Sequence, residues 1–135
     1  MNPERRLELI EEVLNEIDLM PDGMIIMVEG MNDKKALTSL GIRKGMIAVQ
    51  SEGGPLRAAE EVHRRNASAI ILTDWDSKGG TIAEELKRNL SSLSVRYDTT
   101  ARDRLERLCV KDIKDVESLP ALCRRLMSEA GKGRK

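Results

Sequence analysis

Met24-Ile25-Ile26-Met27-Val28, followed at once by Glu29-Gly30, is apolar at every position of a strand-length run. A strand with one face in water alternates apolar and polar residues. A strand apolar throughout is buried on both faces, as in parallel sheets covered by helices. Two further runs share this character, Met46-Ile47-Ala48-Val49 and Ala69-Ile70-Ile71-Leu72, and Leu93 to Tyr97 is a weaker fourth candidate. Helical stretches are expected near 32–40, 55–66 and 77–92, the second opened by Pro55 directly after Gly53-Gly54. Strands alternating with helices indicate βαβ units, and right-handed connections place helices on both faces of the sheet. The expected fold is α/β: a small, parallel, four-stranded, Rossmann-like sheet with helices on both faces and extra helices at the N- and C-terminal ends.

Outside this core, Leu7, Ile10, Val13, Leu14 and Ile17 form a helical stripe over Pro3–Leu19. Asn2 is its expected N-cap and Pro3 its first residue, and Pro21-Asp22-Gly23 ends it sharply. Arg102 to Cys109 and Leu119 to Glu129 read as later helices. No repeat, low-complexity segment or long linker divides the chain, so 1–135 is expected to be a single domain. Its core runs from about 22 to 98, with flanking helices at 3–19 and 102–130.

Composition narrows the function. The 135 residues carry 23 basic and 23 acidic side chains, net charge zero, and aromatics make up only 1%. Bulk-charge binding of nucleic acid calls for a more basic chain, and the scarcity of aromatics argues against a stacking platform. Arg124, Arg125, Lys132, Arg134 and Lys135 form a basic cluster near the end, more readily read as a solvated terminus than as a nucleic-acid patch. Cys109, Cys123 and the single His63 are too scattered for a structural zinc site. His63 reads as a surface helix residue. No apolar run approaches the ~20 residues of a membrane span, and the Glu-rich first residues fit no targeting peptide. The expected location is the cytoplasm, with reduced thiols.

In an open parallel sheet, ligands bind beyond the carboxyl ends of the strands. Glu29-Gly30-Met31-Asn32-Asp33 follows the first strand, and Thr73-Asp74-Trp75-Asp76-Ser77-Lys78-Gly79-Gly80 follows the third. Residues i and i+2 of an extended segment point to the same side, so Asp74 and Asp76 can face one cation while Trp75 points away. For Glu29 to join them, the first and third strands must be neighbours, which a strand order of 2-1-3-4 provides. Three carboxylates without His or Cys favour a hard cation, Mg²⁺ or Mn²⁺, one or two ions, rather than zinc. Each piece has a plainer reading. Asp76 or Ser77 could simply cap the next helix, Glu29-Gly30 could be an ordinary turn, and Gly53-Gly54 could only reverse the chain. The backbone N–H groups at Gly53-Gly54 would also suit a phosphate.

Val28-Glu29-Gly30-x-x-Asp33 followed by Leu72-Thr73-Asp74-x-Asp76-x-x-Gly79 resembles the two signature motifs of Toprim domains. These domains occur in topoisomerases, bacterial primases, 5S ribosomal RNA maturation nucleases, recombination mediators and small stand-alone proteins, including an uncharacterised archaeal family. The resemblance covers roughly residues 22–98. The segment from Lys111 to Leu119, with Asp115-Val116-Glu117, is similar to one that follows the domain in the maturation nucleases. The resemblance implies that Glu29 is the catalytic acid or base and a ligand of a first Mg²⁺. It implies that Asp74 binds one or both ions and Asp76 the second, with Asp33 and Asp98 matching acidic positions of the primase form. Gly30, Asp33, Gly53, Gly54, Lys78 and Gly79 are the candidate substrate- and phosphate-binding positions.

The expected function is Mg²⁺-dependent phosphoryl transfer on nucleic-acid phosphodiesters, a nuclease acting on RNA or DNA. The alternative is a catalytically silent metal-binding module that works with a protein partner. A topoisomerase is not expected, because Tyr97 is the only tyrosine among these residues and they include no large additional domains; nor is a full primase, whose zinc-binding and helicase-binding regions they do not include. Trp75 stands where a proline is often found, at a variable position. A haloacid-dehalogenase-like phosphatase would place Asp-x-Asp after its first strand with Gly-Thr following closely; here the motif ends the third strand. A receiver domain would likewise want its paired acids at the first strand.

Overall fold

A computed structural model of the chain describes residues 1–132. In chain order the elements are α1 (Pro3–Leu19), β1 (Met24–Val28), α2 (Met31–Ser39), β2 (Met46–Ala48), α3 (Val49–Glu52), α4 (Pro55–Arg64), β3 (Ser68–Ile71), α5 (Ser77–Ser92), β4 (Tyr97–Asp98), α6 (Thr100–Cys109) and α7 (Leu119–Lys132). The four strands form one parallel sheet in the order β2-β1-β3-β4. This is the order expected from the need to bring the ends of the first and third strands together.

The uninterrupted apolar runs feed two separate cores. Ile26, Val28, Ile70 and Leu72 pack with the buried stripes of α1, α6 and α7. Ile25, Met27, Ala69 and Ile71 point the other way, onto Ala58, Ala59 and Val62 of α4 and Ala83, Leu86 and Leu90 of α5. Strand side chains alternate between faces, so a strand that supplies both cores must be apolar throughout. α1 begins as expected, with Asn2 Oδ1 accepting from the Arg5 N–H at 2.8 Å and Pro3 in the first turn. Among the described residues, no helix is long and apolar enough to cross a membrane.

Two local expectations are corrected. The fourth strand is Tyr97–Asp98 rather than Leu93–Tyr97. Leu93 instead closes α5, its N–H reaching the Asn89 and Leu90 carbonyls, and Ser94 turns the chain at φ 58°. The second strand stops at Ala48, because Val49–Glu52 winds into a single helical turn. Gly53 and Gly54 then reverse the chain at φ 96° and 116°, which only glycine adopts without strain. Of the basic cluster, Arg124 is exposed and Arg125 pairs with Asp112 and Glu129. Arg134, Lys135 and the Lys132 side chain lie outside the described residues.

Candidate metal centre

The carboxyl ends of β1 and β3 are adjacent, and a cleft of about 440 Å³ opens over them. Glu29, Asp33, Asp74, Asp76 and Glu117 line it together with Lys78, so five carboxylates share the space with one cationic side chain. Gly30, Met31, Asn32, Gln50 and Ser51 complete the lining.

Each expected ligand is fixed by the backbone. Glu29 is only 5% exposed, and its Oε2 accepts the Asp74 N–H at 2.8 Å, tying the end of β1 to the loop after β3. Asp74 Oδ1 accepts the Val116 N–H at 2.9 Å. Asp76 Oδ1 accepts the Gly79 N–H at 2.7 Å as the N-cap of α5. Capping and lining the cleft are therefore compatible in one side chain. The Asp74 and Glu29 carboxyl groups also meet each other in a side-chain hydrogen bond. Trp75 points into the core beneath α1 and α7, as the i, i+2 spacing requires.

The loop that carries Asp74 and Asp76 is held from several sides. Arg102 Nε donates to the Thr73 carbonyl at 3.0 Å and its Nη2 to the Asp74 carbonyl at 2.6 Å. The Trp75 N–H donates to the Lys114 carbonyl at 3.0 Å, and its indole Nε1 to the Ile113 carbonyl at 2.7 Å. Thr73 Oγ1 donates to the Gly79 carbonyl at 2.9 Å. Segment 113–117, between α6 and α7, is thus strapped across the loop, with Glu117 in the cleft.

Burial and like charge act on these acids. Burial, with the neighbouring Glu29 and Asp115 carboxyls, pushes Asp74 up to about 7 although the Val116 N–H holds it down. Burial raises Asp33 to about 6 against the Gly30 N–H, and Asp74, Glu117 and Asp115 add to the rise. Among the described residues, no three acidic, His or Cys side chains close into a preformed cation cage. The donor set is nevertheless one of hard oxygens, and a bound divalent cation would remove the repulsion that raises Asp74 and Asp33. The residues fit Mg²⁺ or Mn²⁺ on those grounds.

Of the candidate phosphate-binding positions, Gly30, Asp33 and Lys78 line the cleft and Gly53 and Gly54 do not. The N–H groups of Gly53 and Gly54 go to the Gln50 and Val49 carbonyls inside their own turn. The Gly79 N–H is taken by Asp76. Asp98 lies in β4 and accepts from the Thr100 N–H, outside the cleft lining. His63 is exposed on α4. The sequence reading did not single out Gln50, Ser51, Arg102 or the strap. The acidic Asp115-Val116-Glu117 was its one signal for the strap, through resemblance alone.

The chain is 34% identical over 128 residues to a UPF0292 protein of Methanosarcina barkeri, covering 94% of this chain and 89% of that protein. It is 38% identical over 127 residues to a UPF0292 protein of Thermococcus gammatolerans, covering 94% and 90%. A solved structure of a protein from Aquifex aeolicus matches with a TM-score of 0.68 and 28% identity, over 80% of this chain and 95% of that one. No protein-family model matches.

Proposed function

We propose that this chain, which belongs to the UPF0292 family, is a Toprim-type protein that binds Mg²⁺ in its acidic cleft and acts on nucleic-acid phosphodiester bonds. The observation that carries the reading is the meeting of Glu29, Asp74 and Asp76 in one cleft from the ends of two adjacent central strands. Residues 45 apart in sequence are locked there by a single carboxylate-to-backbone bond.

Glu29, Asp74 and Asp76 would hold the metal through carboxylate oxygens facing the cleft. Bound Mg²⁺ would neutralise the phosphodiester and orient attacking and leaving oxygens. Glu29 is buried yet faces the cleft, so it is placed to take and return a proton. Lys78, the only cationic side chain lining the cleft among the described residues, would pair with a phosphate oxygen. Arg102 keeps its guanidinium on two backbone carbonyls and so positions Asp74 without touching substrate.

One observation favours a second reading, a metal-binding module without turnover: a single lysine among five carboxylates gives a phosphate backbone little to bind. Purified protein incubated with structured RNA and DNA, with and without Mg²⁺ or Mn²⁺, separates the two readings. Cutting that needs metal and disappears in Glu29→Gln supports the nuclease. Cutting that survives in the variant would place the activity elsewhere. Absence of cutting, in protein whose only tryptophan, Trp75, reports Mg²⁺ binding by fluorescence, would favour the silent module.

A further inference from the structure

Of the five carboxylates that line the acidic cleft, four are engaged by backbone N–H groups. Glu29 accepts from Asp74, Asp33 from Gly30 at 2.9 Å, Asp74 from Val116 and Asp76 from Gly79. Glu117 is the exception. No hydrogen bond and no ion pair joins its side chain to any other described residue, although Lys78 lines the same cleft.

The backbone that carries Glu117 is nevertheless held firmly. Asp112, just ahead of the strap, pairs with Arg6 of α1 and with Arg125 of α7, each at 2.6 Å. The Ile113 and Lys114 carbonyls take the two N–H groups of Trp75. Asp115 Oδ1 accepts the Ser118 N–H at 2.8 Å, closing a turn around position 117. Val116 and Leu119, on either side, are fully buried in the core beneath. With these neighbours turned inward, Glu117 is left exposed and facing the cleft.

Charge and coordination give such a group a use. Five carboxylates against one ammonium leave four negative charges when all are ionised, which two divalent ions would neutralise. Mg²⁺ is satisfied by a near-octahedral shell of oxygens, and water fills whatever the protein does not supply. A carboxylate with no hydrogen bond gives up only water when it turns to a cation. Asp33 differs, being 6% exposed and tied to the Gly30 N–H.

We propose that Glu117 is a further carboxylate ligand of the divalent cation in this cleft, so that the strap between α6 and α7 belongs to the metal centre. The inference rests on the Mg²⁺ reading above and adds to it a ligand from outside the two strand ends. Bound cation then fastens the strap at a second point, besides the bond from Val116 to Asp74.

Mg²⁺ binding to the full chain, followed by isothermal titration calorimetry, provides the test. Glu117→Gln should weaken binding about tenfold, because affinity follows the number of charged ligands. Glu117→Asp keeps the charge on a side chain one methylene shorter, and should also weaken it several-fold, since a ligand has to reach the ion. Melting temperatures in chelator should hold or rise, because neither substitution removes a partner. Hydrogen exchange at the Ser118 amide should slow when Mg²⁺ is added to the parent, but not in Glu117→Gln. Parent-like affinity in Glu117→Gln, or equal slowing of exchange in both proteins, would overturn the proposal. An Asp variant that binds like the parent would overturn it too, by reducing Glu117 to a source of negative potential. Glu29→Gln is the control for the underlying reading: binding lost there and kept in Glu117→Gln overturns this inference alone, whereas a parent that takes up no Mg²⁺ ends both.

Discussion

A Cβ on Gly79 would lie 2.0 Å from the Asp74 carbonyl oxygen and 2.5 Å from its carbonyl carbon. No flexible side chain can move aside there; the backbone of the Asp74–Asp76 loop itself would have to shift. Gly79→Ala should therefore cost ~3 kcal/mol, roughly 10 °C in Tm for a chain of this size, and weaken Mg²⁺ binding as well. Thermal melts with and without Mg²⁺ check both, and a variant melting like the parent would refute the close approach. Glu29→Gln behaves differently, because the glutamine oxygen can still accept the Asp74 N–H. Without metal, Tm should hold or rise, since one of the charges crowding Asp74 has gone. With metal, the Mg²⁺ affinity should fall at least tenfold, about 1.4 kcal/mol. An unchanged Mg²⁺-induced rise in Tm would remove Glu29 from the site.

Among the elements, α5 shows how one residue serves two purposes. Asp76 caps the helix and lines the cleft, and the two roles separate by substitution. Asparagine caps as well as aspartate, so Asp76→Asn should leave stability within about 0.5 kcal/mol while lowering Mg²⁺ affinity; Asp76→Ala should lose ~1 kcal/mol of stability besides. Chemical denaturation and Mg²⁺ titration of both variants provide the comparison, and equal Mg²⁺ affinity for parent and Asn variant would reduce Asp76 to a cap. The strap over 113–117 depends on Trp75 in the same way. Trp75→Phe leaves the half-buried Ile113 carbonyl without its indole partner, at a cost of ~1 kcal/mol for the lost hydrogen bond. Hydrogen exchange at the Val116 amide should accelerate, because the N–H on Asp74 is held by that strap. An unchanged exchange rate would show that the strap does not need the indole.

For the whole molecule, the proposed Mg²⁺ site would link pH and metal through the acidic cleft. Asp33 rises from 3.8 to about 6 and Asp74 from 3.8 to about 7 in the folded chain. Both folded values exceed the unfolded one, so the fold favours the proton-bound forms. Their contribution is complete below about pH 3.8 and is lost as pH rises through 6 and 7. Acids held down by arginine or lysine partners act oppositely: Glu61, lowered from 4.5 to about 2 by Arg64 and Arg65, weakens the fold as pH falls through that range. In chelator, stability should therefore peak near pH 4–5 and decline toward pH 8. Saturating Mg²⁺ should flatten the decline, because bound cation removes the repulsion between the ionised carboxylates. Melts across pH 4–8 in chelator and in Mg²⁺ check this; parallel curves would mean that metal does not sit among these acids.

The sequence by itself determined the parallel α/β class, the places of β1 and β3, and the pairing of Glu29 with Asp74 and Asp76. Burial on both faces demands strands apolar at every position, and acids that interrupt such runs must sit at strand ends. Tertiary structure alone decided the two-residue length of β4, the helical turn at Val49–Glu52, the bracing by Arg102 and the strap over Asp74. These depend on contacts across 28 residues from Arg102 to Asp74 and 42 from Val116 to Asp74. Such pairings follow from which surfaces meet once the sheet and its helices pack, and no periodicity in either segment encodes them.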